Sequence, residues 1–219
     1  MSPKIVIAPS GAIFLDKLLQ LINVYMQILK QDWWATPIWH FDIPATEINP
    51  VDVEQECYQH KKTDLGNVLS NVGGYQSNSI YDVDTYPAIT KLLTTIQRHS
   101  HVWFDELGVK KMYPRLVDNF WININSANHY NKAHVHQRSI FSGVYYVKSN
   151  PNSGRIEFNN QSDRDFILQT FTDQNKYTVS ELNYDAIVGR VVVFPSWIQH
   201  SVSPNLSTQD RISIAFNMT

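Results

Sequence analysis

Beyond Tyr113-Pro114 the hydrophobic pattern of this chain changes from helical spacing to strict alternation, and that change limits what the chain can fold into. In Arg211–Asn217, Ile212, Ile214 and Phe216 fall on one parity, and Arg211, Ser213, Ala215 and Asn217 on the other. Successive side chains of a strand point to opposite faces. One face of this segment is therefore wholly apolar, while the other carries an arginine, a serine and an asparagine. The segment Leu116–Asn125 behaves the same way, with Trp121, Asn123 and Asn125 sharing a face. A polar row opposite an apolar one is expected to line a cavity.

Further alternating runs are Ala133–His136, Ile140–Val147, Arg155–Phe158, Tyr177–Leu182, Arg190–Phe194 and Gln199–Val202, separated by turns rich in Asn, Ser, Gly and Pro. Short strands at this spacing, following helices, predict a mainly β fold with a helical buttress. The expected core is a double-stranded β-helix of jelly-roll or cupin-like form.

The first half reads as mostly helical. Asn49-Pro50 followed by Asp52 and Glu54 is an N-cap, a proline at the first helical position and acidic residues that suit the helix dipole. Leu65 to Asp82, with Gly73-Gly74 inside it, reads as a long loop. Tyr86-Pro87 opens a second helix whose apolar positions Ile89, Leu92, Leu93, Ile96, Trp103 and Leu107 keep helical spacing until Gly108 ends it. No internal repeat or low-complexity linker interrupts the 219 residues. A single domain over 1–219 is expected, with 1–114 packed on a core formed by 115–219.

Net charge of −2 gives no electrostatic footprint for nucleic acid or an anionic membrane. With 17% charged and 12% aromatic residues, the composition suits a packed interior rather than disorder. The most apolar stretch, Ala12 to Leu29, is interrupted by Asp16, Lys17, Gln20, Asn23 and Gln27 at three- and four-residue steps. It reads as an amphipathic helix packing on the main domain or on a second copy in a homodimer, not as a membrane span or a signal peptide. The lone Cys57 has no partner for an internal disulfide, which suits a cytoplasmic location.

Three histidines stand out. His134 and His136 are two residues apart and would share a face of a strand, and His200 follows Gly189–Phe194 and the turn marked by Pro195. Together they offer one metal three imidazoles. Arg211-x-Ser213 follows His200 by eleven residues. A guanidinium there presents a planar fork of donors, suited to a carboxylate.

Several segments, in order, carry a resemblance. They are Ser70-Asn71-Val72-Gly73-Gly74-Tyr75-Gln76-Ser77, His134-Val135-His136, Ser142-Gly143-Val144-Tyr145-Tyr146-Val147, Gly154-Arg155-Ile156-Glu157-Phe158, and the stretch from Phe194-Pro195-Ser196-Trp197 to Asn217. In these, from about Thr36 to the C-terminus, the chain resembles the Fe(II)- and 2-oxoglutarate-dependent oxygenases, and more narrowly a family of uncharacterised phage and bacterial oxygenase-like proteins. The resemblance implies His134 as the first iron ligand and His200 as the distal one. It implies Arg211 and Ser213 against the far carboxylate of 2-oxoglutarate, with Tyr146 beside the same carboxylate and Asn123 as a polar contact in the cavity. It also implies release of succinate and carbon dioxide as a C–H bond is hydroxylated, with a peptide side chain such as proline as the expected substrate class and a small molecule as the other.

The second ligand position departs from the superfamily, which usually has Asp or Glu where His136 stands. Three readings follow: His136 ligates, Glu157 ligates instead, or the position stays open. Gly189, Pro195 and His200 also imitate the second box of a cupin, although no acid follows His136 where the cupin glutamate would be. A three-histidine zinc site is a further reading, and a non-catalytic accessory or binding module is the reading outside enzymology. Trp197 and the Gly73-Gly74 loop read first as ordinary packing and an ordinary turn, with a place in the substrate wall as the alternative.

Overall fold

In a computed structural model, residues 36–159, 175, 176, 179 and 181–219 are described. By its contacts the chain divides into two units, Met1–Ala35 and Thr36–Thr219. The amphipathic helix expected over Ala12 to Leu29, and dimerisation through it, lie outside the described residues.

The N-terminal part supplies β1 (Trp39–Asp42), α1 (Pro50–Lys61), β2 (Asn71–Val72), β3 (Tyr75–Gln76), α2 (Pro87–Arg98) and α3 (His101–Glu106). Asn49 caps α1 as its sequence requires, accepting from the Val51 N–H at 3.1 Å. The start of α2 has no cap from its own chain neighbour. Instead the Glu56 carboxylate of α1 accepts from the N–H groups of Ala88 and Ile89 at 2.9 and 2.8 Å, joining the two helices end to side.

Where the sequence reads as one helix to Gly108, the chain breaks after Arg98. The N–H groups of His99 and Ser100 bond three residues back, to Ile96 and Gln97, and α3 then restarts so that Trp103 and Phe104 are buried.

The rest is β4 (Val117–Asn125), β5 (Tyr130–His134), β6 (Phe141–Lys148), β7 (Arg155–Asn159), β8 (Glu181–Asp185), β9 (Arg190–Pro195), β10 (His200–Val202) and β11 (Arg211–Met218). A six-stranded sheet has the order β1-β9-β6-β11-β4-β3, and a five-stranded sheet the order β2-β5-β10-β7-β8. All of the pairings are antiparallel. This is a double-stranded β-helix. Tyr177, expected to begin the strand now seen as β8, lies outside the described residues.

The two faces of the six-stranded sheet divide the labour. Phe120, Ile122, Ile124, Tyr145, Val191, Val193, Ile212, Ile214 and Phe216 join Ile89, Leu92, Ile96, Trp103 and Phe104 in one buried core, so the helices cover this face. At about 25 cal/mol per Å² of apolar surface removed from water, this burial is what fixes the sheet. The other face meets the five-stranded sheet through a smaller core of Val144, Tyr146, Ile156, Phe158, Val192 and Phe194. Between the sheets, beside that core, a cavity opens.

Gly73 and Gly74 form the corner between the sheets. β2 pairs with β5 and β3 with β4, so the chain crosses from one sheet to the other within two residues. Both glycines have positive φ, +64° and +65°. That conformation suits residues lacking a Cβ.

Candidate active site

The cavity holds about 590 Å³. The five-stranded sheet and the turn after it bring His134, His136 and His200 to its wall, and the six-stranded sheet brings Asn123, Tyr146, Arg211 and Ser213. Cross-strand register explains the grouping. His134 pairs directly with His200 across β5 and β10, while Asn123, Ser213 and Tyr146 form one row across β4, β11 and β6. A register shift between Ile212 and Ser213, where β11 slips against β6, sits beside this row.

His136 reaches the cavity by another route than the one expected. β5 ends at His134, and the His136 N–H turns to the Ser196 carbonyl at 3.0 Å rather than continuing the ladder. Its ring still stands 5.2 Å from that of His134 and 5.0 Å from that of His200, centroid to centroid. The three side chains offer ligand atoms all within 4.8 Å of one another.

Each ring has its Nδ1 against an acceptor oxygen. His134 meets the Lys132 carbonyl at 2.7 Å, His200 the Ile198 carbonyl at 3.1 Å, and His136 the Asn217 side-chain oxygen at 2.9 Å. An acceptor at Nδ1 places the proton there and leaves Nε2 as a lone pair. Burial acts in the same direction by disfavouring the charged form. It lowers His134, pushes His136 down to about 4, and pushes His200 down to about 3, the last helped by its two neighbouring imidazoles. Three neutral imidazoles with free Nε2 atoms are a metal-binding donor set.

Glu157 takes no part in this cluster. It sits one residue out of phase with cavity-lining Ile156, and its carboxylate accepts from Arg155 Nε at 3.5 Å and from the Ser201 hydroxyl at 3.4 Å. Among the described residues the cluster contains histidines alone.

Arg211 is only 2% exposed. Its Nη1 donates to the carbonyls of Ser153 and Ser203, which hold one arm of the fork. Gly154, at φ +81°, passes so close that a Cβ there would stand 2.7 Å from Nη1. The other arm, Nη2, is buried and bonds to nothing among the described residues. Desolvation lowers the guanidinium pKa, opposed only by the Tyr146 phenol. The Tyr146 hydroxyl is likewise buried and donates to nothing among the described residues, although the Ile156 backbone N–H approaches it, and burial pushes it up to about 12. A guanidinium keeps its charge in proteins and a phenol with a raised pKa keeps its proton, so both are donors that suit a carboxylate ligand.

Two features of the site escaped the sequence reading. Asn217, seen only as part of a polar row, is the partner of His136. Gln76 and Asn131 also line the cavity; the motif containing Gln76 was visible in the sequence, but its place on the wall was not. Trp197 is 59% exposed and is not among the residues lining the cavity.

A buried arginine and a histidine cluster thus line one cavity between the sheets of a double-stranded β-helix, a donor set suited to a metal beside a donor suited to an anion. Residues 119–217 match the family model described as "Putative 2OG-Fe(II) oxygenase". Over that stretch the chain is similar to the 2-oxoglutarate–Fe(II) oxygenases, whose cofactor is Fe(II) and whose cosubstrate is 2-oxoglutarate.

Solved structures share the fold. A prolyl-4-hydroxylase from Pseudomonas putida is 15% identical with a TM-score of 0.60, covering 84% of this chain and 92% of that one. A prolyl hydroxylase from Trichoplax adhaerens, in complex with a fragment of the hypoxia-inducible factor oxygen degradation domain, is 11% identical with a TM-score of 0.57, covering 97% and 94%. The non-haem α-ketoglutarate-dependent carbocyclase SnoK from nogalamycin biosynthesis is 11% identical with a TM-score of 0.55, covering 84% and 79%. No curated protein matches the sequence. Among the described residues no helix is long and apolar enough to cross a membrane.

Proposed function

We propose that this chain is an Fe(II)- and 2-oxoglutarate-dependent hydroxylase acting on a C–H bond of a peptide side chain, prolyl by analogy with two of the structures sharing its fold. His134, His136 and His200 would hold the metal through Nε2. Arg211 would pair with the far carboxylate of 2-oxoglutarate, with the hydroxyls of Ser213 and Tyr146 and the side chain of Asn123 beside it.

The observation that carries the reading is the unpaired arm of Arg211. A buried cation without a counter-charge is costly, and an anion that supplies one recovers much of that cost. Arg211 and Tyr146 line the same cavity as the histidines, so a dicarboxylate paired with Arg211 would lie between cation and metal. When bound, iron with 2-oxoglutarate supplies the oxidising chemistry, consuming dioxygen and releasing succinate and carbon dioxide. The protein's part is to anchor one end of the cosubstrate, hold three neutral imidazoles in place, and exclude water with Val144, Ile156 and Phe194, which line the cavity. The free, buried Cys57 fits a reducing cytoplasm, where iron stays ferrous.

One observation favours a second reading. An all-histidine donor set without a carboxylate also suits a catalytic zinc ion. Measuring the metal bound by the purified protein, with succinate release across peptide and metabolite pools, separates the two. Iron with 2-oxoglutarate turnover stimulated by a peptide supports the proposal. Zinc with no succinate in any pool overturns it.

A further inference from the structure

The three candidate ligands are not held alike. His134 and His200 each turn Nδ1 onto a main-chain carbonyl two residues back, at 2.7 and 3.1 Å. A carbonyl can only accept, so the backbone itself fixes those two tautomers. His136 stands beyond the end of β5 and has no such carbonyl. Its Nδ1 meets a side-chain amide, Asn217, at 2.9 Å.

An amide has two edges, and which one faces the ring decides where the proton sits. With the oxygen inward, Nδ1 carries the proton and Nε2 is free for a metal. With the NH2 inward, Nδ1 accepts, the proton moves to Nε2, and the third ligand position is closed.

In this structure the oxygen edge faces the ring, and the neighbours of Asn217 match that orientation. Its register partners are Asn119 on β4 and Ser142 on β6, a row that crosses three strands. The Asn217 Nδ2 donates to the Asn119 side-chain oxygen at 3.0 Å. The Ser142 hydroxyl donates to the Asn217 oxygen at 2.8 Å and lies 2.9 Å from the Ser196 hydroxyl. The Ser196 carbonyl in turn holds the His136 N–H. Backbone and ring of His136 are thus tied to one side-chain network.

We propose that Asn217 is the positioning residue for the third histidine: its oxygen, turned inward by Asn119 and Ser142, holds His136 as the Nδ1–H tautomer and aims Nε2 at the metal. This rests on the proposed metal role of the three histidines. It also gives a physical role to the end of the β11 polar row farthest from Arg211. Replacing the usual carboxylate ligand by an imidazole requires a tautomer to be chosen, and Asn217 chooses it.

The test pairs Asn217→Leu, which keeps size but offers no acceptor, with Asn217→Asp, which can only accept. Long-range proton–nitrogen spectra of the metal-free protein read the His136 tautomer, and titration with cobalt(II) alone reads the site. Wild type should show Nδ1–H. Asn217→Leu should show a mixed or Nε2–H ring and bind cobalt about 10- to 100-fold more weakly, the usual cost of losing such a support. Asn217→Asp should restore the tautomer and the affinity, a rescue that a purely packing role would not give. If Asn217→Leu matches wild type in tautomer and affinity, or if Asn217→Asp fails as Asn217→Leu does, the positioning role is wrong. Wild type that binds no cobalt would sink the metal reading and the positioning role together. Wild type that binds, with Asn217→Leu binding equally well, would sink the positioning role alone.

Discussion

His134 and His200 are direct cross-strand partners on β5 and β10, with ring centroids 4.3 Å apart. Their convergence is therefore a property of sheet register rather than of loop placement. His134→Ala and His200→Ala should each abolish stoichiometric Fe(II) binding. The fold should survive, because the large apolar core lies on the opposite face of the six-stranded sheet. Metal titration alongside circular dichroism checks both halves of this expectation, and loss of folding in either variant would contradict it.

His136 differs in that it hangs from the turn after β5. If it is a ligand, His136→Ala should weaken Fe(II) binding nearly as much as the other two substitutions. His136→Asp should keep iron, because it restores the two-histidine, one-carboxylate set usual for such sites. Undiminished iron binding in His136→Ala would remove it from the ligand set. Glu157 would not replace it, since its carboxylate is engaged with Arg155 and Ser201 on another face.

The metal-free protein should lose stability as pH falls below about 6.5. Folding holds His136 and His200 well under their usual 6.5, at about 4 and about 3. Below pH 6.5 the unfolded chain thus takes up protons that the folded chain refuses, and stability falls with pH down to the folded values. Above pH 6.5 these groups contribute no slope. Urea midpoints measured from pH 7.5 to 4.5 should fall less steeply in His200→Gln than in wild type. Equal slopes would mean that the buried imidazoles are not the cause.

Gly143 on β6 lies beneath the Phe216 ring, where an added Cβ would overlap the ring carbons. Phe216 is fully buried. Gly143→Ala should therefore destabilise the protein by about 1–3 kcal/mol, as overpacking of a filled core does. Denaturant titration reads it directly, and an unchanged midpoint would show that the ring has room to move.

Much of this architecture was legible because its signals are local. Arg211–Met218 and Val117–Asn125 alternate so strictly that their apolar and polar faces could be assigned from sequence, and Asn49-Pro50 marks its helix without help. What was not legible depends on partners distant in the chain. Trp39–Asp42 becomes a strand only because β9 offers it an edge. Asn71–Val72 and Tyr75–Gln76 lie in what reads as loop, and they are strands because β5 and β4 accept them on different sheets. The break between α2 and α3 serves the burial of Trp103 and Phe104, and no cap or proline announces it. His136 keeps its place in the cluster although the strand expected to carry it ends two residues earlier. No local pattern ties Asn217 to His136, 81 residues apart.

The most direct measurement is anaerobic calorimetric titration of 2-oxoglutarate into the metal-loaded protein and into its Arg211→Ala variant. Wild type should bind one 2-oxoglutarate. The variant should keep its metal but lose affinity by about two to three and a half powers of ten, corresponding to the roughly 3–5 kcal/mol lost when one partner of a buried charge pair is removed. Equal affinity in the two proteins would mean that Arg211 does not receive the cosubstrate, and would contradict the assignment of this cavity.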